Sequence, residues 1–336
     1  MTGCGPENDE SRHFDRFMNI HRVQAKTGGV LKNCRGHAYG VKPACLWFCL
    51  MLLSLISAGP GIGAEAGPQD RFVLAYSARM FYDVDQKDAT AALTVYSKEI
   101  AKEHGAQVES FFYKNPEGLA DALLAGKVDL AVFMSDDYAR LSKKLDFDLA
   151  MTVVRGGKKT ERFLILVKSD SPYHNLQDLR NRNLSLAKGD SLGLLYLDVL
   201  LLKHKLPAAA KYFSLLNETA RPSHAILAVF FGQSDLCVVN EISYDLVSEL
   251  NPQVKARLRS VGASPEYVLG VGIFRKSMPV EQRKILENAL LNIGDSPRGK
   301  QVLTLFKTER FAPIQPGELE SVRQLIREND TLRVRK

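Results

Sequence analysis

The chain has 336 residues, 45% of them hydrophobic, 25% charged and 8% aromatic, with a net charge of +7. That composition excludes a disordered, collagenous or disulfide-rich miniprotein and leaves room for one large domain or two medium ones. The charge excess is mild, compatible with an anionic small ligand or with simple solubility, and too diffuse to argue for a nucleic-acid partner.

Lys32, Arg35 and Lys42 precede an uncharged apolar stretch, ACLWFCLMLLSLISA, from Ala44 to Ala58. Gly59-Pro60-Gly61 then breaks any helix, and Ala64 and Ala66 stand in an Ala-x-Ala arrangement. This is the layout of a secretory signal peptide with cleavage after Ala66. A membrane span needs about 20 apolar residues, more than this core supplies, so a retained anchor is the lesser alternative. The segment up to Gly40 lacks periodicity and reads as an extension that a later start, such as Met18, would remove. Residues 1–66 carry seven basic and five acidic residues, so the remainder keeps a net charge of +5. Past them Cys237 stands alone, which excludes an intrachain disulfide in the exported form.

After Asp70, short β-rich runs alternate with longer helical ones, the signature of an α/β fold with a mainly parallel sheet. RFVLAYS (71–77) predicts the first strand. Leu93, Tyr96 and Ile100 give a helical face over Ala89 to His104, stopped at Gly105. QVESFFY (107–113) predicts the second strand, and Asn115-Pro116 opens a helix from Glu117 to Ala125. RFLILVK and NLSLA predict strands around a break at Ser171-Pro172, and a helix follows from Gly193 to His204. EYVLGVGIFRKS (266–277) predicts one further strand ahead of a helix opened by Pro279. The charged runs FRKSMPVEQRK and LESVRQLIREND read as solvated helix faces.

One plan occurs twice. LADALLAGKVDLAVF (119–133) and AILAVFFGQSDLCVV (225–239) each combine an apolar helix, a terminal glycine, Asp-Leu and a buried strand. Gly126 and Gly232 suit the left-handed turn that ends a helix, and Asp129 and Asp235 suit bonding of turn amides. The duplication predicts two similar lobes with a hinged cleft. Lobe 1 comprises 67–162 and 266–336, lobe 2 comprises 163–265, and the chain crosses between them near Glu161 and Glu266.

Several blocks resemble one known family, in this order and spacing: G-K-V-D-L-A-V-F at 126–133, L-Q-D-L-R-N-R-N-L-S-L-A-K-G-D-S-L-G at 176–193, His224 before an A-x-x-A-V-x-x-G-like helix, and S-D-L-C-V-V-N. Over roughly residues 70–300 the chain is similar to type II periplasmic substrate-binding proteins of ABC importers, in their phosphate/phosphonate-type branch. The resemblance implies a two-lobed fold, a periplasmic location and capture of a small polar or anionic ligand handed to a membrane permease. It implies no cofactor, no metal, no nucleic acid and no catalysis, in a monomer. A sensing module that signals to a membrane receptor, and a cofactor-free enzyme on the same scaffold, are the alternatives.

In that family a serine- and threonine-rich turn, with the helix amides behind it, holds a tetrahedral anion. Here the turn is Asp190-Ser191-Leu192-Gly193, with a single hydroxyl. Asp190 would either repel an oxyanion or cap the helix, which leaves a neutral, cationic or zwitterionic ligand open. The ligand-binding candidates are Tyr76 and Ser77 ending the first strand, Met134 and Ser135 ending the third, Asp190, Ser191 and Leu192 in the turn, His224 at a helix start, and Asn240 after the second-lobe strand. Glu241 stands beside Asn240. Arg79, Tyr82 and Asp83 read as a solvated rim. Paired Cys-x-x-Cys, His-Glu-x-x-His and a phosphate-loop lysine signature are all missing from the sequence, so zinc and nucleotide readings lack their marks.

Overall fold

The computed structural model describes residues 71–334 apart from 82–83, 85, 105 and 146–148. The expected signal segment with its cleavage after Ala66, the rim residues Tyr82 and Asp83, and the helix stop at Gly105 lie outside the described residues. Among the described residues, no helix is long and apolar enough to cross a membrane.

Among the described residues thirteen strands follow in chain order: β1 (Arg71–Ser77), β2 (Gln107–Tyr113), β3 (Leu130–Met134), β4 (Leu149–Val154), β5 (Thr160–Glu161), β6 (Phe163–Lys168), β7 (Asn183–Ala187), β8 (Leu215–Thr219), β9 (Leu236–Asn240), β10 (Leu258–Ala263), β11 (Tyr267–Val268), β12 (Gly270–Phe274) and β13 (Arg310–Pro313). The helices are α1 (Gln86–His104), α2 (Pro116–Leu124), α3 (Ser135–Leu141), α4 (Ser191–Lys203), α5 (Ala209–Tyr212), α6 (Pro222–Phe230), α7 (Glu241–Leu250), α8 (Pro252–Arg257), α9 (Val280–Leu291), α10 (Pro297–Leu305) and α11 (Glu320–Val334).

Two sheets organise this unit, one in the order β13-β4-β12-β3-β1-β2 and the other in the order β10-β6-β9-β7-β8. Both contain the same motif. Strands β2, β1 and β3 run parallel beside antiparallel β12, and β8, β7 and β9 run parallel beside antiparallel β6. The sheets are mixed rather than mainly parallel, because β6 and β12 are the strands on which the chain arrives from the other sheet. The segment 266–277 is correspondingly two strands, not one: β11 pairs with β5 where the chain crosses, and β12 then enters the first sheet. Phe163 and Ser264 tie the two crossing segments together through 2.8 Å bonds in both directions.

The duplicated plan has a duplicated geometry. Gly126 and Gly232 end their helical segments at φ +69° and +75°, the left-handed region that only glycine enters cheaply. Asp129 and Asp235, however, do not bond turn amides. Asp129 Oδ2 accepts from Val73 N at 2.7 Å and Asp235 Oδ2 from Asn183 N at 2.9 Å, so each carboxylate holds the start of the neighbouring parallel strand. Each aspartate's own N–H completes the pair by donating to the carbonyl of that same residue. Arg275 completes the Asp129 arrangement through an ion pair at 2.5 Å, so the run FRKSMPVEQRK is not a uniformly solvated face; Phe274 and Met278 in it are also buried.

The C-terminal helix differs similarly. Val322, Leu325 and Ile326 of α11 are buried in the core around Phe163, Leu184 and Leu197 of the second sheet, so LESVRQLIREND has an apolar seam at i, i+3 and i+4. Residues 320–334, grouped by sequence with the first lobe, pack against α4, and Arg333 reaches Asp198 at 2.5 Å.

Candidate functional site

In a sheet where neighbouring parallel strands send their following segments in opposite directions, a crevice opens at the C-terminal strand ends. Here that point lies between β1 and β3 in one sheet and between β7 and β9 in the other. Four segments leave from these ends. Ser77 leads into a 3-10 turn, Ala78–Phe81, carrying Arg79. Met134 leads directly into α3, whose first turn carries Asp136 and Asp137. Ala187 leads through Gly189, at φ +88°, to Asp190 and α4. Asn240 caps α7 by accepting from Ser243 N at 2.8 Å.

These ends meet. Ser191 Oγ donates to Asp136 Oδ2 at 2.6 Å, joining the start of α4 to the start of α3. Arg79 Nη2 donates to the same oxygen at 3.1 Å, and its Nη1 pairs with Asp137. Asp190 Oδ1 accepts from Gly193 N at 3.0 Å, a helix cap. Where the chain crosses, Arg155 Nη1 lies 3.2 Å from Glu161 Oε1. Ser77, Ser135, Asp136, Asp137, Asp190 and Glu161 are all buried.

The electrostatics follow from that burial. The Asp190 carboxyl is pushed up to about 7, first by desolvation and then by the neighbouring charges of Asp136 and Glu161; the Gly193 N–H and Arg79 oppose the shift. Asp137 is pushed up to about 6 by desolvation and by Asp136, with Arg79 opposing. The second oxygens of Asp136, Asp137 and Asp190, and the hydroxyls of Ser77 and Ser135, have no hydrogen-bond partner among the described residues. A further anion about 4 Å from one of these carboxylates would meet roughly 4 kcal/mol of repulsion at an effective dielectric of about 20. The start of α4 therefore already holds the chain's own carboxylates at the donors an oxyanion would use.

Other candidates fall elsewhere. Tyr76 faces the opposite side of β1 from Ser77, as strand alternation requires. Its ring lies 6.0 Å from Phe81 and 6.3 Å from Phe112, and burial raises its hydroxyl well above the ordinary value. It lines an apolar cavity of about 60 Å³ with Met80, Phe306 and Phe311. Leu192 is buried in the second core, and the Met134 side chain is fully buried. His224 is exposed in the first turn of α6. Glu241 pairs with Arg162 at 2.6 Å.

Arg79 is no solvated rim residue: only 24% of its side chain is exposed, and it holds two buried aspartates. Asp136, Asp137, Arg155 and Glu161 escaped the sequence reading. Acids in a helix's first turn are ordinary partners of the helix dipole, so nothing local marks Asp136 and Asp137 as a site. The signal that could have found them is position, since Ser-Asp-Asp directly follows a buried strand at the switch point.

Residues 80–319 match the family described as ABC transporter, phosphonate, periplasmic substrate-binding protein. The chain belongs to that family. It is a family of solute-binding components of importers rather than of enzymes, and it implies a small-molecule ligand, a membrane permease and a periplasmic location. The chain is 24% identical over 251 residues to the phosphonates-binding periplasmic protein of Escherichia coli, a match covering 71% of this chain and 72% of that protein. Its fold is similar to a binding protein component of an ABC phosphonate transporter from Pseudomonas aeruginosa, with TM-score 0.60, 18% identity and coverage of 80% and 89% of the two chains. It is also similar to a protein from Prochlorococcus marinus in complex with methylphosphonate, with TM-score 0.59, 17% identity and coverage of 78% and 98%. The expected two-lobed binding-protein fold thus agrees with solved relatives of that class.

Proposed function

We propose that this chain captures one small polar solute between its two sheets and delivers it to an ABC permease. The lobes are 67–162 with 266–319, and 163–265 with the helix 320–334 seated on them. The observation that carries this reading is the Ser191 to Asp136 hydrogen bond, because it brings the C-terminal edges of both sheets together around buried polar groups. Closure over a solute removes those groups from water and shifts an open to closed equilibrium. Ser77, Ser135, Asp190 and Ser191 are the contact residues of this reading, with His224 and Asn240 at its second-lobe margin. The phosphonates named for the Escherichia coli relative are the first solutes to screen, followed by amino acids and polyamines.

The test is calorimetry on the full chain and on Ser191→Ala combined with His224→Ala. For whichever solute binds, the double variant is expected to raise Kd at least about tenfold, or about 1.4 kcal/mol. The melting temperature without solute is expected to fall only a few degrees, the scale of one lost hydrogen bond. An unchanged Kd would remove these residues from the solute site.

This reading expects export, with the mature chain starting near Gly67 as the N-terminal sequence pattern predicts. N-terminal sequencing of a periplasmic fraction is expected to begin there, whereas full-length chain confined to the cytosol would contradict it. In solution the protein is expected to run as a monomer.

A further inference from the structure

We propose that the groove between α3 and α11 is a second binding site, outside the inter-sheet site, for a soluble ligand carrying two or more linked phosphate groups. The two helices pack against each other. Ile326 of α11 is buried in the core of the second sheet and Ala139 of α3 packs against that core, so together they close the floor of the groove. The groove holds about 510 Å³. That lies within the range of small-molecule pockets, about 300–1,000 Å³, and is far more than a single tetrahedral anion fills.

Its walls are cationic. Arg140 and Lys143 stand on the α3 side and Arg323 and Arg327 on the α11 side, against one lining carboxylate, Asp330. Neighbouring cations have acids of their own: Lys144 pairs with Asp121, and Arg333 with Asp198. Arg140 and Lys143 are exposed and have no hydrogen bond or ion pair among the described residues. Arg327 donates to Glu320 at 2.5 Å and Arg323 to the Pro316 carbonyl at 3.1 Å. A guanidinium carries five N–H donors, so these bonds hold each arginine in place and leave most of its fork unspent. With Asp330 and Glu320 both counted, the four cations still leave an excess of two positive charges.

A concave surface of one sign focuses its field and concentrates counter-ions, and guanidiniums match phosphate oxygens in pairs. Cations on two walls call for anionic groups spaced along one ligand, which linked phosphates supply and a single phosphonate does not. A flat bilayer cannot reach both walls of a groove between helices. α3 begins at the ends of the first sheet and α11 is seated on the second, so a ligand that spans the groove is expected to raise the melting temperature.

The experiment is isothermal titration of the full chain with tripolyphosphate, and with orthophosphate and methylphosphonate for comparison. Arg140→Gln combined with Lys143→Gln is expected to weaken tripolyphosphate binding at least about tenfold, with an unchanged melting temperature in its absence because neither side chain is bonded. Arg327→Gln is expected to weaken it as well, whereas Ser191→Ala combined with His224→Ala is expected to leave it unchanged. No binding of tripolyphosphate overturns the proposal. Binding that survives Arg140→Gln with Lys143→Gln and is lost in Ser191→Ala with His224→Ala places tripolyphosphate between the sheets, which overturns the second site and leaves solute capture intact. Binding that survives both double variants also overturns it. Vesicles of phosphatidylglycerol that sediment the chain and are not displaced by tripolyphosphate would assign the groove to a membrane surface instead.

Discussion

Arg79→Met is expected to be among the most destabilising single substitutions in the chain. Among the described residues, Arg79 is the only cation bonded to Asp136 and Asp137, whose side chains are 4% and 9% exposed. Methionine keeps the length and apolar stem of the side chain but removes the charge, leaving two adjacent carboxylates buried side by side. Breaking one partner out of a buried ion pair costs about 3–5 kcal/mol. Arg79 is itself a quarter exposed, so the low end applies, and the melting temperature at pH 8 is expected to fall by roughly 6–10 °C.

The pH dependence identifies the cause. Without the guanidinium, the folded-state value of Asp137 moves further above 6, the direction already set by burial and Asp136. A carboxyl raised on folding contributes stability that is complete below its unfolded value near 4 and is lost as pH rises through its folded value. The deficit of Arg79→Met is therefore expected to be much smaller at pH 5 than at pH 8. Adding Asp136→Asn and Asp137→Asn should recover most of it at pH 8. A deficit equal at both pH values would assign the loss to packing instead.

The parts of this molecule that were legible in sequence are those governed by local chemistry. RFVLAYS, QVESFFY and NLSLA coincide with β1, β2 and β7; β-branched and aromatic residues mark the first two, and alternating leucines bounded by turn residues mark the third. The duplicated helix-glycine-Asp-Leu-strand plan exposed the two matching sheets, since a left-handed glycine is a requirement of the turn itself. What stayed hidden depends on which distant segments meet. β11 and β12 read as one strand because the break between them is a change of sheet, which no hydropathy pattern records. LESVRQLIREND carries enough charge to mask three apolar residues, and only packing against α4 shows which face is covered.

The site divides in the same way. The candidates Ser77, Ser135, Asp190 and Ser191 were named from their places at strand ends and in the turn that follows one, a rule of topology that sequence order can apply. Tyr76 and Leu192 were swept in with them because adjacent residues share a strand end or turn, yet point into different surroundings. Arg79 meets Asp136 across 57 residues within the first sheet, and Ser191 of the second sheet reaches the same carboxylate across 55, separations that give no local trace. At the start of α4 the serine hydroxyl is bonded to the chain's own Asp136, and Asp190 caps the helix beside it. That arrangement is a property of Asp136 and Asp190 together, and neither residue alone reveals it.

Asp190→Asn is expected to stabilise the protein at neutral and higher pH, contrary to the usual result of altering a buried capping residue. Asparagine caps helices about as well as aspartate, so the 3.0 Å bond from Gly193 N can persist. The new amide also supplies N–H donors toward Asp136 and Glu161, the neighbours whose charges help to raise the Asp190 carboxyl to about 7. In the unfolded chain Asp190 ionises near 3.9. Between about pH 4 and 7 the folded state therefore holds a proton that the unfolded state has released, so folding stability declines as pH rises through this window. Integrated over about three pH units the penalty approaches 4 kcal/mol as an upper bound, reduced by whatever solvent reaches the site. Asp190→Asn removes that titration. Its melting temperature is expected to exceed that of the parent by several degrees at pH 8, to converge with it near pH 4, and to vary less across the interval. The check is a series of thermal melts from pH 4 to pH 8 on both proteins. If the variant is less stable at pH 8, the ionised carboxylate contributes to folding more than its burial costs, and the charge balance drawn here for the start of α4 is wrong.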